Sequence, residues 1–132
     1  VGDLMGLLRH YLQSEIDELD AKGVRLRSIG DISRLHPDVR TLLEGGIART
    51  AKNQGLTLVL ALNYGAQDEI VRAARAAGPD LTAESLEKHL DTADLPPPDV
   101  IVRTSGEQRL SNFMLWQAAY AELVFTDVLW PD

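Results

Sequence analysis

The sequence predicts an α/β fold, a parallel-sheet layer with flanking helices, and indicates that the domain is incomplete. Apolar runs that suit strands alternate with segments of helical periodicity, which is typical of parallel βαβ units. One run, residues 56–62, is almost continuously apolar, as in strands covered on both faces of a sheet. The chain starts inside a helical pattern at Val1 and stops at Asp132 without a tail, so we expect a portion of a longer protein.

The first half of the chain predicts two helices and two strands. Apolar residues at helical spacing predict a helix over residues 2–22, and a strand follows at 24–29. Pro37 opens a second helix that runs to about Lys52. The pair Gly45-Gly46 inside it is unfavourable by roughly 1 kcal/mol per glycine relative to alanine. Close helix packing and a helix break are both compatible with that pair.

The second half predicts three more helices and two more strands. Thr82 is expected to cap one of these helices, because its hydroxyl can accept a hydrogen bond from a first-turn amide. Leu-Pro-Pro-Pro at residues 95–98 forms a stiff connector. The helices are expected at residues 68–77, 83–90 and 112–120, and the strands at 100–103 and 123–125.

The composition limits the function classes. The chain has 132 residues, of which 45% are hydrophobic, so it can bury a core. Its net charge of −7 argues against a general nucleic-acid binder, although a local basic pocket for a phosphorylated metabolite remains open. It has no cysteine, which excludes disulfides and thiolate metal sites within the chain. We expect no signal peptide, and the sequence has no apolar run of ~18 residues.

A polar loop at residues 103–113 carries the densest functional chemistry. It follows the predicted strand at 100–103, and anionic ligands bind beyond the carboxyl ends of strands in open α/β sheets. The guanidinium groups of Arg103 and Arg109 suit phosphate oxygens, and Ser105 and Ser111 add hydroxyl donors. The residues therefore predict a phosphate or diphosphate clamp. The structural alternative is that Arg103 pairs with Glu107 or Asp99 and that Ser111 caps the next helix.

Other candidate residues lie outside this loop. Glu122 stands among apolar residues and is either a magnesium ligand or an exposed glutamate. Asn63 follows the apolar run and is either a ligand contact or a turn former. The three histidines, His10, His36 and His89, have neither ligand nor triad spacing, so covalent catalysis is unsupported. Both tryptophans, Trp116 and Trp130, are interpreted as core or interface residues.

Two segments resemble the C-terminal signature of the cis-prenyltransferases, which in bacteria are the undecaprenyl diphosphate synthases or isoprenyl transferases. They are RTSGEQRLSNFMLWQ at residues 103–117 and YAELVFTDVLWP at residues 120–131. VRLRSIGD at residues 24–31, Thr57-Leu58 and Asn63-Tyr64-Gly65 also look like family segments. The similarity covers the whole chain, and its final thirty residues are highly specific.

The resemblance implies a magnesium-dependent homodimeric enzyme that condenses isopentenyl diphosphate with an allylic diphosphate such as farnesyl diphosphate. It implies that Arg103, Arg109 and Ser111 hold the diphosphate of isopentenyl diphosphate. Glu122 would help to bind Mg²⁺ across the dimer interface, and Glu107 would lie near the pocket. The expected product is a cis-polyprenyl diphosphate, the undecaprenyl carrier for cell-wall synthesis, which partitions into the membrane. A cytoplasmic protein is expected, with peripheral association at the inner membrane face left open.

The chain departs from the family pattern because it lacks the family's N-terminal motif. The family's N-terminal Asp-Gly-Asn-Gly-Arg-Trp type motif, whose aspartate binds magnesium and the allylic diphosphate, does not occur here. Residues 1–132 are therefore expected to be the C-terminal portion of a single cis-prenyltransferase domain, without a catalytic residue of their own and without the family's C-terminal tail. We expect this portion to carry the isopentenyl diphosphate half-site and to be inactive alone.

Two other functions are compatible with the same chain. One is a non-catalytic partner subunit of a heteromeric cis-prenyltransferase, although such partners tend to lose the arginine and serine array that stands intact here. The other is a regulatory domain that binds nucleotides or phosphate on a similar sheet. The chain has no glycine-rich dinucleotide loop, which makes this last function the least favoured.

Overall fold

The computed structural model describes residues 2–129 and confirms the predicted parallel α/β class. The chain divides into two compact units, with the boundary between Asn63 and Tyr64. Each unit contains helices and one two-stranded parallel sheet. Over residues 2–129, no helix combines the length and the apolar character needed to cross a membrane.

The first unit follows the sequence expectations closely. Its elements are helix α1 (Gly2–Ala21), strand β1 (Arg25–Ile29), helix α2 (Pro37–Thr50) and strand β2 (Thr57–Ala61). β1 and β2 pair in parallel, with Arg25 opposite Thr57 and Ile29 opposite Ala61. Side chains from both helices and from β1 form the core of this unit, in which the fully or nearly buried residues are Leu12, Leu26, Leu35, Val39 and Leu43. Each such leucine contributes about 1.5–3 kcal/mol through burial.

β2 is less buried than its apolar sequence predicts. Its side chains are half-buried, and Ala61 is exposed. Within the described residues β2 has one neighbour, β1, so its other edge and part of its surface remain uncovered. The expectation of a strand covered on both faces is therefore wrong for this chain as it stands.

Close packing explains one member of the Gly45-Gly46 pair. A Cβ atom on Gly46 would lie 2.6 Å from Ile16 Cδ1 and 3.1 Å from Leu26 Cδ2, so the glycine lets α2 approach α1 and β1. One turn later, Thr50 Oγ1 donates to the Gly46 carbonyl at 2.8 Å and accepts from the Leu26 amide at 2.9 Å. The helix continues through the pair without a break. Nothing in the structure explains Gly45.

The second unit contains helices α3 (Ala66–Ala77) and α4 (Ala83–Glu87) and the parallel strands β3 (Val100–Arg103) and β4 (Glu122–Phe125). Thr82 caps α4 as predicted, because its hydroxyl accepts from the Ser85 amide at 3.0 Å. A small cluster of Ala73, Leu86 and Leu90 is buried between α3 and α4.

The predicted helix over residues 112–120 is wrong. Only a 3₁₀ turn, Gln117–Tyr120, is present. Asn112 and Met114 have left-handed φ values of 62° and 48°, which a right-handed helix excludes. The idea that Ser111 caps this helix therefore fails as well. Trp116 packs against the Ala73 cluster, in agreement with a core role, whereas Trp130 lies outside the described residues.

Strands β3 and β4 expose apolar side chains on both faces of their sheet. Both faces of a parallel sheet are normally covered. Here the exposed fractions are 48% for Val100, 59% for Val102, 46% for Leu123 and 44% for Val124. This exposed group of four residues is called the β3–β4 apolar surface below.

Candidate functional site

The polar loop begins where β3 ends, and the segment after β4 holds its first turn. The Ser105 amide donates to the Val128 carbonyl, and the Gly106 amide donates to the Thr126 carbonyl, both at 2.9 Å. Gly106 has a φ of 74°, and a Cβ atom there would lie 3.1 Å from Asp127 Oδ1. These bonds fix the start of the loop beside the end of the sheet.

Arg103 is tied into the loop that follows it. Its Nη2 contacts Glu107 Oε2, and its Nη1 donates to the Arg109 carbonyl at 3.1 Å. The side chain is 30% exposed. The structural alternative, in which Arg103 pairs with Glu107, is therefore present in the protein. Because one guanidinium carries five donors, these contacts also leave donors available for a ligand.

Arg109 is the more accessible of the two arginines. Its side chain is 66% exposed, and its Nη2 lies 3.5 Å from Glu107 Oε1. A single ion pair at that distance and exposure is worth little. Glu107 thus contacts both guanidinium groups, so the loop brings Arg103, Glu107 and Arg109 together.

Unfavourable backbone conformations are concentrated in and just after this loop. Over residues 2–129, five non-glycine residues have left-handed φ values, and four of them fall between residues 105 and 114: Ser105 (68°), Ser111 (51°), Asn112 (62°) and Met114 (48°). Residues held in such sparsely populated regions cost about 1–3 kcal/mol each and cluster at binding sites. Ser111, a predicted ligand-binding residue, is among them and is exposed.

Asn112 connects the distal end of the loop to the start of α3. Its carbonyl accepts from the Ala66 amide at 2.8 Å, and its Oδ1 accepts from the Gln67 amide at 3.0 Å. Gly65, at the N-cap position of α3, has no side chain to cap the helix. Asn112 therefore satisfies two first-turn amides that would otherwise lack partners. The adjacent Phe113 ring meets Tyr64 edge to face at 5.7 Å.

A buried carboxylate, missed by the sequence analysis, stands behind this end of the loop. Glu69 on α3 is 1% exposed. It accepts from Tyr64 Oη at 2.5 Å, from the Asp91 amide at 2.8 Å and from Gln117 Nε2 at 3.0 Å. Burial, together with the hydrogen bond to Glu69, raises the pKa of Tyr64 and keeps its hydroxyl a donor. The available signal was spacing, since Glu69 shares one helical face with Ala66 and Ala73.

The remaining predicted residues lie outside the polar loop. Asn63, in the first unit, has a φ of 47°, and its side chain donates to the Asp31 carbonyl at 3.3 Å, which fits a turn-forming role. Glu122 is exposed at the start of β4. Over residues 2–129, no three or more His, Asp or Glu side chains cluster in a way that could hold a metal ion. The three histidines are exposed.

The whole chain matches a known protein family. Residues 1–132 match the prenyltransferase family described as "Putative undecaprenyl diphosphate synthase". The chain is 49% identical to the isoprenyl transferase of Caulobacter vibrioides and 53% identical to that of Zymomonas mobilis, with all of this chain aligned. It spans 55% and 57% of the length of those two relatives.

Solved structures have the same fold. Lavandulyl diphosphate synthase from Lavandula x intermedia, in complex with dimethylallyl diphosphate, superimposes with a TM-score of 0.91 at 34% identity, covering 98% of this chain and 61% of its own. A probable undecaprenyl diphosphate synthase from Campylobacter jejuni gives 0.85 at 39% identity, covering 94% of this chain and 60% of its own. The similarity thus extends over almost the whole chain and over about three fifths of each solved one.

Proposed function

This chain belongs to the prenyltransferase family of undecaprenyl diphosphate synthases, and from that premise we propose that the full-length protein is a cytoplasmic cis-prenyltransferase. It condenses isopentenyl diphosphate with an allylic diphosphate such as farnesyl diphosphate. The product is a cis-polyprenyl diphosphate, the undecaprenyl carrier for cell-wall synthesis, which partitions into the membrane.

The observation that carries this proposal is the exposed guanidinium of Arg109 in a loop whose backbone is held in left-handed conformations. Arg109, Arg103 and the Ser111 hydroxyl supply charge-assisted and neutral hydrogen bonds to a diphosphate. Glu107, which contacts both arginines, offsets their mutual repulsion in the absence of substrate and gives up its weaker contact with Arg109 when the anion binds. Asn63 contributes a side-chain amide to the substrate pocket of the complete domain.

In this reaction the loop has a positioning task. Held by its diphosphate, isopentenyl diphosphate presents its double bond to the allylic carbon; the new carbon–carbon bond replaces the allylic carbon–oxygen bond, diphosphate leaves, and loss of a proton from the isopentenyl unit forms the new double bond. Orienting two reactants in this way can supply several kcal/mol of the barrier reduction. The loop can orient its ligand because bonds to Val128 and Thr126 fix its start and Asn112 fixes its end.

The residues present here fit Mg²⁺ only in part. Mg²⁺ prefers oxygen ligands and is commonly bound by one or two carboxylates together with waters and substrate phosphates. Glu122 is an exposed carboxylate that would serve as one such ligand. When bound, the ion neutralises charge on the leaving diphosphate. Further protein ligands would have to come from outside the described residues.

We propose that residues 1–132 form the C-terminal portion of a single domain and hold the isopentenyl diphosphate half-site. The chain spans just over half the length of its curated relatives, and its sequence lacks the Asp-Gly-Asn-Gly-Arg-Trp type motif that carries the family's catalytic aspartate. The allylic diphosphate site and its aspartate would then lie outside this stretch. This stretch alone is therefore expected to be inactive.

Incorporation of radiolabelled isopentenyl diphosphate tests the reaction. With farnesyl diphosphate as primer, the full-length protein is expected to form long-chain product, and EDTA should abolish the reaction until Mg²⁺ is restored. Residues 1–132 alone should give no product. Turnover by the isolated stretch would disprove the half-site proposal. A full-length protein that binds isopentenyl diphosphate without turnover would instead support a non-catalytic partner subunit.

We further propose that the β3–β4 apolar surface forms a homodimer interface. Apolar exposure on both faces of a parallel sheet favours cover by another protein surface. Glu122 begins β4 next to this surface, which would bring its carboxylate close to the partner subunit.

Sedimentation of the full-length protein tests the dimer. The wild type is expected to sediment as a dimer and Val124→Asp to shift towards monomer, because a carboxylate would have to be desolvated in the interface. Leu56→Asp, at a residue that is 72% exposed in the first unit, is the matched control and should remain dimeric. A monomeric wild type, or equal dissociation of both variants, would count against this interface.

A further inference from the structure

We infer that Asn112 is a positioning residue for diphosphate binding, which it controls by anchoring the Ser111 end of the polar loop to the first turn of α3. The inference rests on the proposed function. It assigns a role to a residue that need not touch substrate and that lies in the segment where the sequence predicts a helix.

Asn112 holds α3 through two different groups. Its backbone carbonyl accepts from the Ala66 amide, and its side-chain Oδ1 accepts from the Gln67 amide. The contact is close, because a Cβ atom on Gly65 would lie 3.1 Å from Asn112 Nδ2. A glycine at the N-cap position therefore makes room for a cap supplied by Asn112, which lies in the polar loop, 45 residues beyond the Gln67 amide that it caps.

The anchor matters because of where it lies in the loop. Asn112 directly follows Ser111, and both residues have left-handed φ values, 51° for Ser111 and 62° for Asn112. Asparagine tolerates this conformation far better than most residues, whereas serine does so less readily. The Ser111 backbone is thus held in an unfavourable conformation by its neighbour, and release of Asn112 would let the Ser111 hydroxyl and the nearby Arg109 relax away from the binding geometry.

A second contact restricts the conformation of the same end of the loop. Phe113 packs edge to face on Tyr64, whose hydroxyl is bound to buried Glu69. The chain on the C-terminal side of Asn112 therefore has a defined position, and Ser111, on its other side, is exposed to solvent. An ordered donor binds an anion more tightly than a mobile one, because less conformational entropy is lost on binding.

Three substitutions separate two properties of Asn112: its side-chain acceptor and its tolerance of the left-handed conformation. Asn112→Asp keeps an acceptor oxygen for the Gln67 amide and tolerates the left-handed conformation. Asn112→Gly keeps the conformation and loses the side-chain acceptor. Asn112→Ala loses both. Gln67→Ala is the matched control, since it removes an exposed side chain of α3 and leaves the backbone amide in place.

The readouts are the KM and kcat for isopentenyl diphosphate in the full-length protein, and the affinity for inorganic diphosphate measured by calorimetry. Asn112→Ala is expected to raise KM and the diphosphate Kd by about tenfold, with kcat changed by less than about threefold. Asn112→Asp and Gln67→Ala should stay within about threefold of wild type, and Asn112→Gly should fall between Asp and Ala. If Asn112→Ala does not fold, the comparison of Gly with Asp decides the question.

A lower melting temperature for Asn112→Ala with unchanged KM and Kd would overturn the inference, because the residue would then be only structural. Failure of Asn112→Asp to retain affinity at high ionic strength, where repulsion between the new carboxylate and the diphosphate is screened, would overturn it too, since the side-chain acceptor would not be responsible. A wild-type protein that does not bind diphosphate would disprove the proposed function itself. Wild-type binding with unaffected Asn112 variants would disprove the anchoring role alone.

Discussion

Replacing Arg109 with alanine is expected to weaken binding of isopentenyl diphosphate by roughly 30- to 150-fold while leaving the melting temperature unchanged. The factor corresponds to about 2–3 kcal/mol for the loss of charge-assisted hydrogen bonds. The unchanged stability follows from the contacts of this side chain, which is 66% exposed and has one ion pair at 3.5 Å. Titration calorimetry on the full-length protein, followed by thermal unfolding, measures both quantities.

The contrast with Arg103 sharpens this prediction. Arg103→Ala should weaken binding and also lower the melting temperature, because Arg103 holds Glu107 and the Arg109 carbonyl. Arg109→Lys should be intermediate, since it keeps the charge but loses the planar fork. Arg75→Ala, at an exposed arginine in the last turn of α3, controls for the change in net charge. Equal loss of affinity in Arg75→Ala and Arg109→Ala would mean that long-range charge, and not the loop, binds the ligand.

Replacing Glu69 with alanine is expected to lower the free energy of unfolding by about 3 kcal/mol. The substitution opens a cavity and removes the acceptor from Tyr64 Oη, the Asp91 amide and Gln117 Nε2 at once. Buried donors left without a partner each cost about 1–3 kcal/mol before the surroundings relax. Urea unfolding of the full-length protein measures the change. Asp68→Ala, which removes an exposed carboxylate from the same helix, should cost much less.

Glu69→Gln distinguishes the hydrogen bonds from the burial of charge. The amide keeps one oxygen for the Asp91 amide and offers a nitrogen where Tyr64 Oη and the Gln117 side chain lie, and the Tyr64 hydroxyl can accept from that nitrogen. Gln117 can then turn its own amide, so that its Oε1, which is buried and has no partner, accepts a hydrogen bond. We therefore expect Glu69→Gln to retain most of the stability. A Gln variant as unstable as the Ala variant would show that the negative charge itself is needed.

The regular elements could be predicted from the sequence because their signals are local. α1, β1 and α2 follow from apolar periodicity and from Pro37, and the predicted strand at residues 100–103 coincides with β3. The helix predicted over residues 112–120 failed for the opposite reason. Its residues have helical spacing, but bonds from Asn112 to α3 hold the backbone in a left-handed conformation. Such long-range bonds leave no local trace in the sequence.

The residues of the candidate site also divide into those recognisable from local sequence and those that depend on distant partners. The arginines could be recognised from residue type and position after a strand, and the structure brings Arg103, Glu107 and Arg109 together. Glu69 and Asn112 were missed because their roles depend on partners far along the chain. Glu69 binds the side chain of Gln117, 48 residues away, and Asn112 binds the amide of Gln67, 45 residues away.

The β3–β4 apolar surface also has a consequence for colloidal behaviour. A two-stranded sheet has two unpaired strand edges, and such edges bearing apolar side chains are templates for pairing with other chains. The net charge of −7 opposes this encounter through mutual repulsion between molecules. Salt screens that repulsion at separations beyond about 10 Å at 0.1 M ionic strength. Higher ionic strength therefore favours association of molecules through these strand edges, and low ionic strength opposes it.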